Sequence, residues 1–145
     1  MNIGTHIHKS GTFIRSLRAF YDTKPVNLTK PVQLFSGSPK WWRRPGVTLT
    51  DYNETKTFII ENKLNVFIHS LYLVNLCWDP VDFRKKPLPC LQWEFNNGVK
   101  MGFKGVVVHC GKSCKMAIGE ALDNMYNNLI TVLKSVTTRC PLLLE

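Results

Sequence analysis

The sequence predicts an α/β fold of about five parallel strands alternating with four helices, and three observations carry that reading. Three short apolar runs each end in a side chain able to hold a metal: Asn65-Val66-Phe67-Ile68-His69, Gly105-Val106-Val107-Val108-His109 and Pro141-Leu142-Leu143-Leu144-Glu145. The steps between those end residues are 40 and 36 residues, while a strand, a helix and the loops joining them take roughly 30 or more. Between the last two runs, Ile118, Leu122, Met125, Leu129, Leu133 and Val136 recur every three or four residues. That is the spacing of one helical face, and these six are expected in the core.

The elements follow in order. Ile3 to His8 reads as a first strand. Thr12 to Tyr21 reads as a helix with Phe13, Ile14, Leu17 and Phe20 on one side. Pro31 to Phe35 is a second strand, broken by Ser36-Gly37-Ser38-Pro39. Thr50, Asp51 and Glu54 mark a helix start with acidic residues in its first turn; Phe58, Ile59 and Leu64 fall on its apolar side. Val66 to His69 is the third strand. Asp79 to Pro89, rich in proline and charge, reads as a loop, and a helix from about Leu91 to Met101 leads to the fourth strand at Gly105. Pro141 opens the fifth. Continuous β-branched and leucine runs are what buried parallel strands look like. Such alternation suits a barrel or an open doubly wound sheet. A complete eight-unit barrel takes about 250 residues, and this chain has 145. It is therefore expected to be one domain's worth of chain, and a fragment, the first part of a split gene or half of a two-chain barrel.

The net charge is +9, from 19 basic and 10 acidic residues. That balance favours an anionic partner such as nucleic acid. Cys77, Cys90, Cys110, Cys114 and Cys140 are odd in number and form no CxxC pair, so reduced thiols are expected. Cys110 and Cys114 are spaced for a metal, but no second ligand pair accompanies them. There is no secretory signal and no apolar run near the roughly 18 residues of a membrane span. An intracellular location, cytoplasmic or nuclear, is the expectation, with no membrane partner.

Two imidazoles and a carboxylate at the carboxyl ends of successive strands suit zinc or a similar divalent ion. His69, His109 and Glu145 are thus candidate metal ligands and catalytic residues. His6 and His8 end the first strand and are candidates to line the same face. After the second strand, Lys40, Trp41, Trp42, Arg43 and Arg44 interleave aromatic and cationic side chains, which suits a phosphate backbone and stacked bases. Trp41 and Trp42 also fit a hydrophobic lid. Phosphodiester hydrolysis fits these parts, because a bound metal activates water and stabilises the oxygens that attack and leave. Gly111-Lys112-Ser113 resembles the end of a phosphate-binding loop but lacks the earlier glycine, with Val106 in its place.

Ile3-Gly4-Thr5-His6-Ile7, Val32 to Ser36, His69-Ser70-Leu71-Tyr72-Leu73-Val74-Asn75-Leu76, Val107 to Gly111 and Leu142 to Glu145 together resemble, in order, the endonuclease IV family of apurinic/apyrimidinic endonucleases. The stretch from His69 to Leu76 is the most specific piece. The resemblance implies an incomplete TIM (β/α)₈ barrel, with residues 1–145 as the N-terminal portion of a single endonuclease domain. It implies zinc as cofactor, up to three ions in the family, with ligands here for one and part of a second. It implies a zinc-dependent cut 5′ to an abasic site in double-stranded DNA during base excision repair. By position, His69 and His109 look like ligands of one zinc and Glu145 like a bridge to a second. Tyr72 and Leu73 match the pair that enters the minor groove, and Lys40 stands where the family has an intercalating arginine. Lys40, Trp41, Arg43, Tyr72 and Leu73 are the expected DNA-binding set. The family has a small polar residue in place of His8 and a proline in place of Cys110, and its remaining ligands lie on later strands. A second chain or a C-terminal half would complete the barrel. Two other readings fit the same residues: a metal-dependent sugar isomerase or epimerase, and a non-catalytic DNA-binding remnant.

Overall fold

A computed structural model of the chain describes residues 4–23, 31–135 and 139–145. Among the described residues five strands are joined by five helices, two of them in the third connection: β1 (Thr5–Ile7), α1 (Phe13–Tyr21), β2 (Val32–Phe35), α2 (Leu49–Glu61), β3 (Val66–His69), α3 (Pro80–Lys85), α4 (Pro87–Met101), β4 (Val106–Val108), α5 (Ile118–Ser135) and β5 (Leu142–Leu144). The strands form one sheet in the order β1-β2-β3-β4-β5, every neighbouring pair parallel. A doubly wound sheet reverses its strand order at a switch point; this one does not. The order is that of consecutive barrel staves, so the choice left open by the sequence falls to a barrel that is incomplete.

One face of the sheet is covered. Ile7, Val32, Leu34, Val66, Ile68, Val106 and Val108 share a core with Phe13 and Leu17 of α1, Ile59 of α2 and Leu91 and Phe95 of α4. The alternate strand residues point the other way. There Gln33, Phe67, Val107 and Leu143 line an open hollow of about 470 Å³ with His6.

The stretch from Asp79 to Pro89 is not the loop its prolines suggested. Pro80 and Pro87 each stand at the first helical position, where the missing N–H costs nothing and the fixed φ is already helical. Asp79 caps α3 by accepting from Val81 and Asp82 N–H at 2.8 and 3.3 Å. Asp51 also does more than favour its own helix start. Its carboxylate reaches across to α1 and accepts from Phe13 N–H at 3.1 Å and Ile14 N–H at 3.0 Å. Thr12 caps the same turn from Arg15 N–H, so three of the orphan donors that begin α1 are satisfied.

The apolar stripe on α5 corrects a second expectation. Ile118, Leu122 and Leu133 are 67, 58 and 57% exposed, with Tyr126 and Ile130 beside them. Met125 and Leu129 are half-buried against the core, and Val136 lies outside the described residues. The buried side of α5 is Ala121, Asn128 and Val132. Periodicity identifies residues that share a face, but burial needs a neighbour. The elements packing on α5 are α3 and α4, both on its other flank. Among the described residues no helix is long and apolar enough to cross a membrane.

Candidate metal centre

The strands β3, β4 and β5 end at the same rim of the sheet, where His69 closes the first and His109 and Glu145 directly follow the other two. His69, Phe35 and Val107 are lateral neighbours in the parallel register. Glu145 is tied beside β4 by its N–H to Val108 O at 3.0 Å and by Cys110 N–H to its own carbonyl at 2.9 Å. As a result one ligand-capable atom from each of His69, His109 and Glu145 lies within 4.8 Å of the others. Among the described residues this is the cluster of three such groups; Cys110 and Cys114 do not join one.

His69 is buried, and its Nδ1 is 2.6 Å from the Ser70 carbonyl. A carbonyl only accepts, so Nδ1 carries the proton and Nε2 presents its lone pair. That Nε2 faces Glu145 Oε2 at 3.2 Å, and His109 Nε2 faces the same oxygen at 3.8 Å. The His69 lone pair, that close to a carboxylate, needs a positive charge between them, a proton or a cation. Two neutral imidazoles and a carboxylate are a donor set for a zinc-like ion, and the three residues fit one.

The other predicted residues divide. The His6 ring is 5.6 Å from that of His69 and 4.6 Å from Phe35. Burial and nearby His69 lower the His6 pKa, with Glu145 pulling it back up. His8 instead lines a separate hollow of about 870 Å³ with Lys9, Trp41 and Arg43. Tyr72 is exposed and sits 5.8 Å from His69 and 5.5 Å from His109, ring to ring. Leu73 is half-buried against the core. Lys40 and Arg43 are exposed. Trp41 is 70% exposed. Trp42 is the lid, packed on the core with Trp78 at 6.1 Å.

Three features were given no role by the sequence. Phe35 stands among His6, His69 and Tyr72, 5.1 Å from the last. Asn75 is buried and joins the two site loops: Oδ1 accepts from Cys77 N–H at 2.9 Å and Lys112 N–H at 3.1 Å, and Nδ2 donates to Lys112 O at 2.9 Å. Glu94 of α4 lies beneath the loop after β2, fully buried, 3.5 Å from Arg44.

Burial pushes the Glu94 carboxyl up from 4.5 to about 7, while the nearby hydroxyls of Ser36 and Ser70 and the charge of Arg44 pull it back. Cys90, one turn away, is itself pushed up to about 12 by burial and by Glu94. The folded state therefore holds a proton that the unfolded chain releases. The resulting stability is fully present below about pH 4.5 and is lost as pH rises through about 7. Between pH 4.5 and 8 the wild type is expected to lose about 3 kcal/mol relative to Glu94→Gln. Urea unfolding of both proteins across that range checks it; parallel pH profiles would show that Glu94 titrates as an ordinary carboxyl.

No family model matches the chain. It is 33% identical over 93 residues to the probable endonuclease 4 of Haloarcula marismortui, matching 63% of this chain and 34% of that protein. It is 32% identical over 108 residues to the probable endonuclease 4 of Haloquadratum walsbyi, 72% of this chain and 39% of that one. The chain thus spans little more than a third of the length of these curated relatives. The solved endonuclease IV of Thermus thermophilus superposes with a TM-score of 0.74 at 22% identity, covering 99% of this chain and 51% of that one. A D-tagatose 3-epimerase-like protein shares the fold with a TM-score of 0.69 at 13% identity, covering 99% of this chain and 52% of that one. By sequence, and with a fold in agreement, the chain is a relative of the endonuclease IV proteins.

Proposed function

We propose that this chain is part of a metal-dependent phosphodiester hydrolase that cuts double-stranded DNA 5′ to abasic sites, in base excision repair. The observation that carries the reading is the convergence of His69, His109 and Glu145 at the rim that also bears Tyr72 and the Lys40 to Arg43 loop. His69 and His109 would hold a zinc ion through Nε2, with Glu145 as third donor. A zinc there supplies a Lewis acid for phosphoryl oxygens. The chain's own residues orient the substrate. Tyr72 stands over both imidazoles, and Lys40 and Arg43 meet the phosphate backbone. Exposed Trp41 offers a stacking face.

The reading includes a partner. Three donors serve one ion, and the bare stripe on α5, the open edge of β5 and the uncovered inner sheet face fit further βα units, supplied in the same protein or by a second chain. The test is a labelled duplex with one abasic site, offered to the chain with zinc and with chelator. Chelator-sensitive cleavage 5′ to the lesion is the expected result for the chain joined to such units. Absence of both cleavage and cation binding in that complete form would end the proposal. The epimerase-like fold supports a second reading, a sugar isomerase or epimerase; turnover of free ketoses with no action on abasic DNA would favour it.

A further inference from the structure

The loop that carries Lys40, Trp41 and Arg43 is short, polar and exposed, yet it is not held by its own residues alone. Arg44 turns inward from its end, with a side chain 7% exposed. Its Nη2 donates to the carbonyl of Ser38 at 3.1 Å and to that of Trp41. Those two carbonyls bracket Lys40, and Trp41 N–H closes the same turn on Ser38 O at 3.4 Å. Its Nη1 donates to Ser36 Oγ at 2.8 Å, and that hydroxyl donates to Glu94 Oε1 at 2.6 Å. Glu94 is fixed in the middle of α4, inside the core, and Ser36 is fully buried at the end of β2. The loop is also tied sideways, since Tyr72 N–H donates to Pro39 O at 3.1 Å.

A planar guanidinium suits this job because its donors point in fixed directions. One edge takes the buried anchor and the other takes the two loop carbonyls. A lysine at position 44 would supply one point charge and lose the fork. The cost is also visible: Glu94 Oε2, Ser70 Oγ and Arg44 Nε are buried without a hydrogen-bond partner. A carboxyl group buried this deeply is expensive, and a hydrophobic residue at position 94 would serve packing alone better.

We infer that Arg44, anchored through Ser36 to Glu94, is the positioning residue that holds the Lys40 to Arg43 loop and its link to Tyr72 in the shape that receives DNA. The inference rests on the DNA reading above. It assigns Arg44, Ser36 and Glu94 no contact with DNA. Freed of the clamp, the loop keeps its charges and loses its order. Affinity should therefore fall while the salt dependence, which counts phosphates neutralised, stays nearly the same.

The test compares Arg44→Lys, Ser36→Ala and Glu94→Leu with Lys40→Ala. Two readouts are used: tryptic cleavage after Lys40 and Arg43 in the free protein, and binding to an abasic duplex at several salt concentrations. Ser36→Ala removes one oxygen and no charge, so it stays informative if a charge variant fails to fold. The clamp predicts cleavage about tenfold faster and DNA affinity about tenfold weaker, because loop ordering must then be supplied on binding. Zinc affinity should not change in Ser36→Ala. Lys40→Ala should instead reduce the salt slope by about one. Unchanged cleavage in the clamp variants overturns the inference while leaving the DNA reading intact. Faster cleavage in a protein that binds no DNA even as wild type overturns both.

Discussion

His69→Ala should abolish cation binding at the rim while the sheet survives. The imidazole is buried, its Nδ1 proton is spent on the Ser70 carbonyl, and its Nε2 is the donor nearest Glu145. Its loss leaves His109 and Glu145, 3.8 Å apart, too few groups to hold an ion against water. Loss of an outer-shell partner alone lowers metal affinity by about 10–100-fold, so loss of this ligand should cost at least about 100-fold. Titration with zinc or cobalt, followed by calorimetry or visible absorption, checks it. His109→Ala should act in the same direction with less disturbance of the fold, since His109 is only half-buried. Lys40→Ala should leave cation affinity unchanged. A His69→Ala protein that binds the cation as the wild type does would remove the metal reading, and the hydrolase reading with it.

The second large effect is on stability. Gly111→Ala should destabilise the fold by about 3 kcal/mol or more. Gly111 has φ +104°, which side chains rarely adopt, and a Cβ there would sit 2.0 Å from Asn75 Oδ1 and 3.0 Å from Leu76 N. Asn75 cannot retreat without breaking its three bonds to Cys77 and Lys112. The Gly111-Lys112-Ser113 stretch is therefore a docking point for Asn75. Gly119→Ala is the matched control: its Cβ meets nothing within 4 Å, and in a helix the change should be neutral or stabilising by up to about 1 kcal/mol. Thermal or urea unfolding of the two variants decides it. Equal stability would mean that Asn75 does not join the two loops.

These two positions differ in how far the sequence disclosed them. His69, His109 and Glu145 were legible because a parallel strand buried on one face writes a continuous apolar run, and a polar residue closing such a run stands at the strand's carboxyl end. Five runs gave five strands, and β3 was read to the residue. Asn75 was not legible, since its partners are set by how two loops meet in space. The same holds for Asp51, whose carboxylate serves a neighbouring helix, and for Arg44 and Glu94, which meet only because the loop after β2 folds over α4. Pro80 and Pro87 were read as breakers because proline opens helices as readily as it ends them, and only the following turn tells which. The α5 stripe was misread for a further reason: a period reports a shared face and says nothing of whether anything covers it.

The consecutive strand order has a dynamic consequence. Each stave leans only on the ones before and after it, so protection against opening should decline from β3, paired on both sides, toward β5, paired on one. Leu143, Leu144 and Glu145 on that outer stave are exposed. Of the three groups at the rim, the carboxylate therefore follows an outer strand of the described sheet and His69 ends its central one. A cation gripped by both would spend part of its binding free energy on stilling the outer stave, and its apparent affinity would rise with anything that holds that edge in place.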